Sequence, residues 1–195
     1  MLVYYVRTFL PWILLAVISG WSDQAGALAG LAAALVLLAG DLRKGNRLES
    51  LVLELSTIVF MALLTALAFA APHAAVMDYG ASMSIGWLGL TAWGTLLIGR
   101  PFTRGVARRD VDAEIAATDL FKRITTVIAA VWAVSFTVMA LVLADVQHTA
   151  PHDTALLVGV KIAGFTIPAV FTARYPEIAQ KRYFARHGID REIAR

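Results

Sequence analysis

RPFTRGVARRDVDAEIAATDLFKRITT, residues 100–126, is the longest polar interval in the chain, and strongly apolar segments lie on both sides of it. Short loops rich in Lys and Arg stay in the cytoplasm, because moving their charges across a bilayer during insertion is costly. The interval therefore predicts a cytoplasmic loop that sets the orientation of the neighbouring helices. Its basic residues are Arg100, Arg104, Arg108, Arg109, Lys122 and Arg123.

The whole chain has the composition of a membrane protein. Of its 195 residues, 59% are hydrophobic and 16% are charged, whereas an ordinary soluble domain has about 25% charged residues. The chain contains no cysteine, which excludes disulfides, thiol catalysis and thiolate-bound metals. A net charge of +3 would suggest nucleic-acid binding if the basic residues formed a patch on a soluble domain. Here they mark one face of a membrane protein, so nucleic acid is not an expected partner.

Six segments approach the roughly 20 apolar residues that a helix needs to cross a bilayer. They predict an all-α fold, in which residues 1–195 form one transmembrane domain, a six-helix bundle with a basic cytoplasmic tail at 175–195. Gly26 and Gly30 have the G-x-x-x-G spacing of closely packed membrane helices. The segments are residues 3–20, 24–40, 51–71, 81–99, 124–145 and 154–174.

The distribution of charge predicts that both termini lie in the cytoplasm. In that orientation every Lys and Arg except Lys161 falls on the cytoplasmic side. The outer loops then carry no basic residue, and their charged residues are Asp23, Asp78, Asp145 and Asp153. So one-sided a distribution predicts a multi-pass protein of the lipid bilayer with N-in and C-in topology.

Acidic residues in the middle of the central interval predict a short amphipathic cytoplasmic helix between spans four and five. Asp112 and Glu114 would meet the exposed N–H groups at its N-terminus. Ile115, Leu120 and Phe121 would then face the membrane surface. A metal bound by the acids would need a further acidic partner and a substrate groove, which so short a loop does not supply. We therefore predict no metal site, no catalytic residue and no cofactor.

Two charged residues inside the segments are candidates for an active role. Lys161 lies about seven residues into the sixth segment, roughly 10 Å below its outer end, with Asp145 and Asp153 as candidate partners. An intramembrane charge indicates function by default, but a Lys stem also reaches the interface by snorkelling. Glu54, near the inner edge of the third segment, is either a proton or cation relay or an acid that complements the helix dipole.

These charged residues favour one of the two classes of function that we consider, a transporter or channel for small solutes or ions. Its path would run near Lys161 and near hydroxyl side chains of the fourth and fifth segments, with Glu54 as a relay. The hydroxyl residues are Thr91, Thr95, Ser135 and Thr137.

A motif runs from residue 100 to residue 136 and consists of Arg100, Pro101, Phe102, Thr103, Ala107, Arg108, Phe121, Thr125, Thr126, Trp132 and Phe136. It resembles a pattern in a group of uncharacterised bacterial integral membrane proteins, which is itself loosely similar to the intracellular septation protein A family. That group tends to have an aromatic residue and a Pro ahead of the Phe, where this chain has IAATD at residues 115–119. The resemblance implies a bacterial inner-membrane protein with a role in envelope organisation, and it implies no reaction.

The preferred class of function is a non-enzymatic membrane protein that acts through its basic cytoplasmic face. The polar residues lie mainly at that face and not within the spans. Such a surface suits anionic lipid headgroups, at about 1 kcal/mol per basic residue close to the membrane. It also suits a membrane-protein partner or a second copy of the chain. The expected contact residues are Arg100, Arg104, Arg108, Arg109, Lys122 and Arg123.

Overall fold

The computed structural model describes residues 2–45, 51–108, 111–151 and 153–187, with side chains from residue 10 to residue 186 of these ranges. The described chain is helical and contains no strand, which confirms the all-α prediction. A short 3-10 helix, Ala75–Tyr79, precedes the fourth helix. The α-helices are α1 (Leu2–Ile18), α2 (Asp23–Arg43), α3 (Val52–Ala70), α4 (Gly80–Leu97), α5 (Phe102–Ala107), α6 (Ala113–Ala117), α7 (Asp119–Thr149) and α8 (Thr154–His187).

Four helices in the described ranges are long and apolar enough to cross a membrane: α2, α3, α7 and α8. Each of the six predicted segments falls on a helix, but α1 and α4 are not among these four. α1 has 17 residues, and α4 has 18, several of them Gly, Ser or Thr. The chain is thus a helical membrane protein, whereas the six-span count and the orientation stay predictions.

Local sequence signals explain where several helices begin. The Ser22 hydroxyl accepts a hydrogen bond from Ala25 N at 3.3 Å and caps α2. Thr118 caps α7 by accepting from Phe121 N at 3.2 Å. The Asp153 carboxylate accepts from Leu156 N at 2.9 Å at the start of α8. Each side chain satisfies an N–H group that the first helical turn leaves without an intrahelical acceptor.

The described chain divides into two compact units, Met1–Trp87 and Leu88–Arg195, and the division falls within α4. In the first unit, α2 packs against both α1 and α3. Its buried core contains Leu15, Ala27, Phe60, Met61, Leu64 and Ala68. A Cβ on Gly30 would lie 2.8 Å from Met61 Sδ and 3.1 Å from Pro11 O, so only glycine fits there without a shift. The G-x-x-x-G prediction of close helix packing is confirmed.

In the second unit, α7 and α8 form the main helix pair. Trp132, Phe136 and Phe165 make an aromatic cluster, with ring centroids of successive pairs 5.2 and 5.8 Å apart. The Trp132 indole donates to Thr172 Oγ1 at 3.0 Å. Gly164 packs on the Met139 side chain. These contacts set an antiparallel register, because residues later in α7 meet residues earlier in α8.

Both helices of this pair extend beyond the segments predicted for them. α7 begins at Asp119 and not at residue 124, because Thr118 supplies a cap that the apolar pattern does not reveal. α8 continues to His187 and not only to residue 174. Its added residues include good helix formers and a Glu177–Lys181 ion pair at i,i+4 spacing, which supports a helix on its exposed face.

The interval between α4 and α7 contains two short helices, where the sequence analysis predicts one. α5 has six residues and α6 has five. Ile115 is exposed on α6, as predicted, but Leu120 and Phe121 belong to the first turn of α7. The Thr118 backbone is extended, with ψ 148°, so it separates α6 from α7.

Candidate functional site at the basic end of the second unit

The turn from α4 into α5 positions the first basic residues of the central interval. Gly99 has φ +70°, a left-handed conformation that favours glycine after a helix. Arg100 N donates to Thr95 O at 2.9 Å, and Phe102 N donates to Thr95 Oγ1 at 3.2 Å. The turn is therefore held by both the backbone and the side chain of Thr95, which is itself buried.

Arg104 folds back over this turn, and its Nη1 donates to Gly99 O at 3.2 Å. Arg108 lies four residues further along, at the end of α5, and is exposed. Burial, and secondarily the neighbouring positive charge of Arg108, lower the pKa of the Arg104 guanidinium. α5 therefore holds two like charges next to each other.

The first turns of α7 add further basic side chains at the same end of the unit. Thr103 Oγ1 donates to Thr125 O at 2.6 Å and joins α5 to α7. Arg123 is exposed, two residues before that contact. Lys122 forms an ion pair with Asp119 at 3.0 Å, in which the Asp119 side chain is almost fully exposed and the Lys122 side chain about half exposed. A pair of this kind is weak, so Lys122 remains available to an anion.

The second half of α8 reaches the same end. Trp132 of α7 contacts Thr172 of α8, and the two helices run antiparallel. Lys122 lies ten residues before Trp132 in α7, and Arg182 lies ten residues after Thr172 in α8. Because the rise per residue is the same in both helices, Lys122 and Arg182 lie at about the same level. The exposed basic residues of this part of α8 are Arg174, Lys181, Arg182 and Arg186.

We use the name basic end for Arg100, Arg104, Arg108, Lys122, Arg123, Arg174, Lys181, Arg182 and Arg186. Arg109, which the sequence analysis includes among the contact residues, lies outside the described residues. The structure thus brings together the predicted contact residues that it describes, and it adds the helical second half of α8 to them. The sequence signal for that addition is the i,i+4 pair of Glu177 and Lys181.

Apart from Glu54, which lies in the first unit, the predicted transport residues are distributed along the second unit and not at one level. Lys161 is half-buried in the second turn of α8, three residues before Gly164 and so nearer to the connection between α7 and α8. Gly164 packs on Met139, whereas Thr137 lies two residues before Met139 and so further from that connection. Five residues of helical rise, about 7 Å, therefore separate Lys161 from the level of Thr137.

Two of the four hydroxyl residues of the predicted path, Thr95 and Thr137, make hydrogen bonds that give them a structural role. Thr95 holds the turn after α4. Thr137 Oγ1 accepts from the Trp93 indole at 3.1 Å and donates to Ala133 O at 2.8 Å. Thr91 and Ser135 are half-buried. Among the described residues no carboxylate forms an ion pair with Lys161, and Asp153, one of its candidate partners, instead caps α8.

Two acidic residues lie at helix ends in the first unit. Glu54 is half-buried in the first turn of α3, where an acid complements the helix dipole. Asp41, in the last turn of α2, is only 3% exposed, and the sequence analysis did not single it out. A negative charge is unfavourable near the C-terminus of a helix because that end of the dipole is negative. The position of Asp41 in the last turn of α2 is therefore the sequence signal that distinguishes it. Within the described ranges, no three His, Asp or Glu residues are placed to hold a metal ion.

Comparisons of the chain with protein-family models, with curated proteins and with solved structures gave no match. The resemblance to septation protein A-like membrane proteins therefore stays a prediction from the motif at residues 100–136.

Proposed function

We propose that this protein is a multi-pass protein of the bacterial inner membrane that acts without catalysis, through contacts of its basic cytoplasmic face. The observation that carries the proposal is the basic end, where exposed Arg and Lys side chains of three helices lie together in the second unit. Each basic residue near an anionic membrane surface contributes about 1 kcal/mol of attraction. The bacterial origin and the role in envelope organisation rest on the resemblance of the motif.

The proposed topology has six spans with both termini in the cytoplasm. α1 and α4 have 17 and 18 residues, which is at the lower limit of about 17 residues for a crossing helix. Their positions before α2 and after α3 are those that the charge distribution requires. In this topology the short helices α5 and α6 lie along the cytoplasmic surface, with the exposed Ile115 towards the lipid.

The surface of α8 supports a membrane-protein partner or a second copy of the chain. Only 6% of its membrane-length window is buried, against 33% for α7. Large apolar side chains on it are exposed, including Leu156, Val158, Ile162 and Ile167. In a bilayer this face, which lies in the first half of α8, contacts lipid or another helix.

Single-cysteine variants test both the topology and the contacts, because the chain has no cysteine of its own. The positions are Trp21→Cys, His73→Cys, Glu114→Cys and Gln180→Cys, all exposed. In intact cells a membrane-impermeant maleimide should label the first two and not the last two. A four-span arrangement in which α4 does not cross would put His73 and Glu114 on the same side.

The same four variants are then coupled to a benzophenone maleimide in permeabilised membranes and irradiated. Crosslinks to lipid or to a defined membrane protein should form at Glu114→Cys and Gln180→Cys in much higher yield than at Trp21→Cys and His73→Cys. Equal yields on both sides would contradict action through the cytoplasmic face, even if the topology proved correct.

A further inference from the structure

Arg104 carries a polar atom that no other part of the described chain satisfies. Its Nη1 donates to Gly99 O, but its Nε is buried and has no hydrogen-bond partner there. Leaving a buried donor of a charged group unbonded is costly, and such groups in native proteins have a partner in the great majority of cases. Because this atom is closed to solvent, an acceptor oxygen from another molecule would satisfy it only together with an outward turn of the guanidinium.

The charges around Arg104 specify an anion as that molecule. Arg108 lies one helical turn further along α5, and in the described residues neither arginine forms an ion pair. Their mutual repulsion is relieved by a ligand that carries negative charge on several oxygens. A phosphate group fits best, because planar guanidinium groups bind its oxygens through paired N–H···O bonds.

Two exposed apolar residues at the end of α4 directly precede the turn that Arg104 contacts. Leu97 is 85% exposed and Ile98 is 69% exposed, and both immediately precede Gly99, the residue that Arg104 contacts. A free phosphate ion makes no apolar contact with such a surface, whereas a phospholipid carries acyl chains next to its phosphate that can pack against it. Exposed apolar residues beside cationic ones are expected at headgroup level.

We propose that Arg104 and Arg108 bind the phosphate group of an anionic phospholipid whose acyl chains lie against Leu97 and Ile98. The inference rests on the proposed function and deepens it, since it assigns lipid recognition to one pair of arginines within the basic end. The other basic residues then act as a general electrostatic surface around this site.

Native mass spectrometry of the full-length protein in an uncharged detergent tests the site, with a short-chain phosphatidylglycerol as the probe. Arg104→Gln should weaken binding by about ten- to a hundredfold, which is the range for losing a charged hydrogen-bonding partner. Arg104→Lys keeps the charge but removes the Nε–H and the planar group, so it should bind with intermediate affinity. Arg108→Gln leaves the Gly99 contact in place and should weaken binding less than Arg104→Gln.

Arg123→Gln is the matched control, because it removes one positive charge from an exposed position elsewhere in the basic end. It should change the dissociation constant by no more than about fivefold, which corresponds to about 1 kcal/mol for a single charge near the surface. Equal losses in Arg104→Gln and Arg123→Gln would overturn the site but leave the proposed function standing. Thermal unfolding of each variant separates lost binding from lost folding, and Arg108→Gln, at an exposed position, decides the matter if Arg104→Gln does not fold.

Two further ligands distinguish the source of the phosphate. Inorganic phosphate should not displace phosphatidylglycerol at equal concentration, and displacement would overturn the lipid assignment in favour of a free anion. Short-chain phosphatidylcholine should bind more weakly to the wild-type protein. If it binds as well as phosphatidylglycerol and does so in every variant, then both this site and lipid recognition by the basic end are wrong.

Discussion

The two units of the protein have helices of very different lengths. In the first unit, α2 and α3 have 21 and 19 residues, or about 30 Å of helix, which matches the hydrocarbon thickness of a bilayer. In the second unit, α7 and α8 have 31 and 34 residues, or about 45 to 50 Å. The two long helices of the second unit are therefore longer than the hydrocarbon of a bilayer is thick, and the surface that we assign to function lies at their basic end.

The cores of the two units, in contrast, are built alike. Phe60 lies between Trp12 and Trp87, with ring centroids 5.1 and 5.6 Å away. Phe136 lies between Trp132 and Phe165, at 5.2 and 5.8 Å. Both phenylalanines are 4% exposed. The difference between the units thus lies in helix length and surface charge and not in the aromatic centre of each core.

The largest expected effect tests the likeness of the two cores. Phe60→Ala and Phe136→Ala should each lower the free energy of unfolding by about 3–5 kcal/mol, because each leaves a cavity between aromatic rings. The measurement is unfolding of the purified protein in detergent. Val138→Ala, at a position that is 55% exposed, is the control and should have a small effect. A loss from Phe136→Ala no greater than that control would show that the second unit does not depend on its aromatic cluster.

A smaller effect should distinguish the units through their close glycine contacts. A Cβ on Gly26 would lie 2.8 Å from Ser19 N and 3.1 Å from Leu15 O, which are backbone atoms in the last turn of α1 and directly after it. The three atoms nearest to a Cβ on Gly164 would all belong to the side chain of Met139, which is flexible. Gly26→Ala should therefore destabilise the protein by about 1–3 kcal/mol through overpacking, and Gly164→Ala by less.

Gly94→Ala is the control for both substitutions, because a Cβ there would have no neighbour within 4 Å. Alanine is the better helix former, so this variant should be stabilised by about 0.5–1 kcal/mol. Midpoints of unfolding in a detergent titration give all three values. A larger loss from Gly164→Ala than from Gly26→Ala would mean that α7 and α8 pack more rigidly than α1 and α2.

The smallest effect concerns the two indole hydrogen bonds. Thr172→Val removes the hydroxyl that accepts from Trp132 and should cost about 0.6–1 kcal/mol, the range found between membrane helices and in proteins generally. Ser56→Ala should cost less, because Trp87 also donates to Ser56 O at 3.1 Å, and that acceptor remains. Thr172→Ser keeps the hydroxyl and should restore stability. The prediction is wrong if both hydroxyl deletions have the same cost.

Part of the candidate site could be predicted from the sequence. Positive charge concentrated between apolar segments predicts the surface residues Arg100, Arg108 and Arg123, because insertion keeps such loops on one side. The special position of Arg104 could not be predicted from that rule. The position of Arg104 depends on the left-handed backbone of Gly99 and on the turn held by Thr95. Together they bring the Arg104 guanidinium into contact with Gly99 O, five residues earlier in the chain.

The sequence does not reveal which contacts the polar side chains of the spans make. Thr95 and Thr137 were candidates for a transport path, but their hydroxyl groups bond to the helix backbone, to a turn or to an indole. Asp41 was not a candidate and is buried. Residue type alone does not separate a hydroxyl that lines a path from one that satisfies a neighbouring donor, because that depends on the facing helix.

The sequence by itself determined that the chain is helical and lies in a membrane, since apolar composition and segment length are properties of local stretches that the bilayer selects. It also determined where the basic residues are concentrated. Only the tertiary structure decided that the central interval and the second half of α8 meet at one end of the second unit, and that Arg104 differs from its neighbours. Those features depend on the register of packed helices and on backbone turns, which join residues far apart in the chain and leave no periodic signal in it.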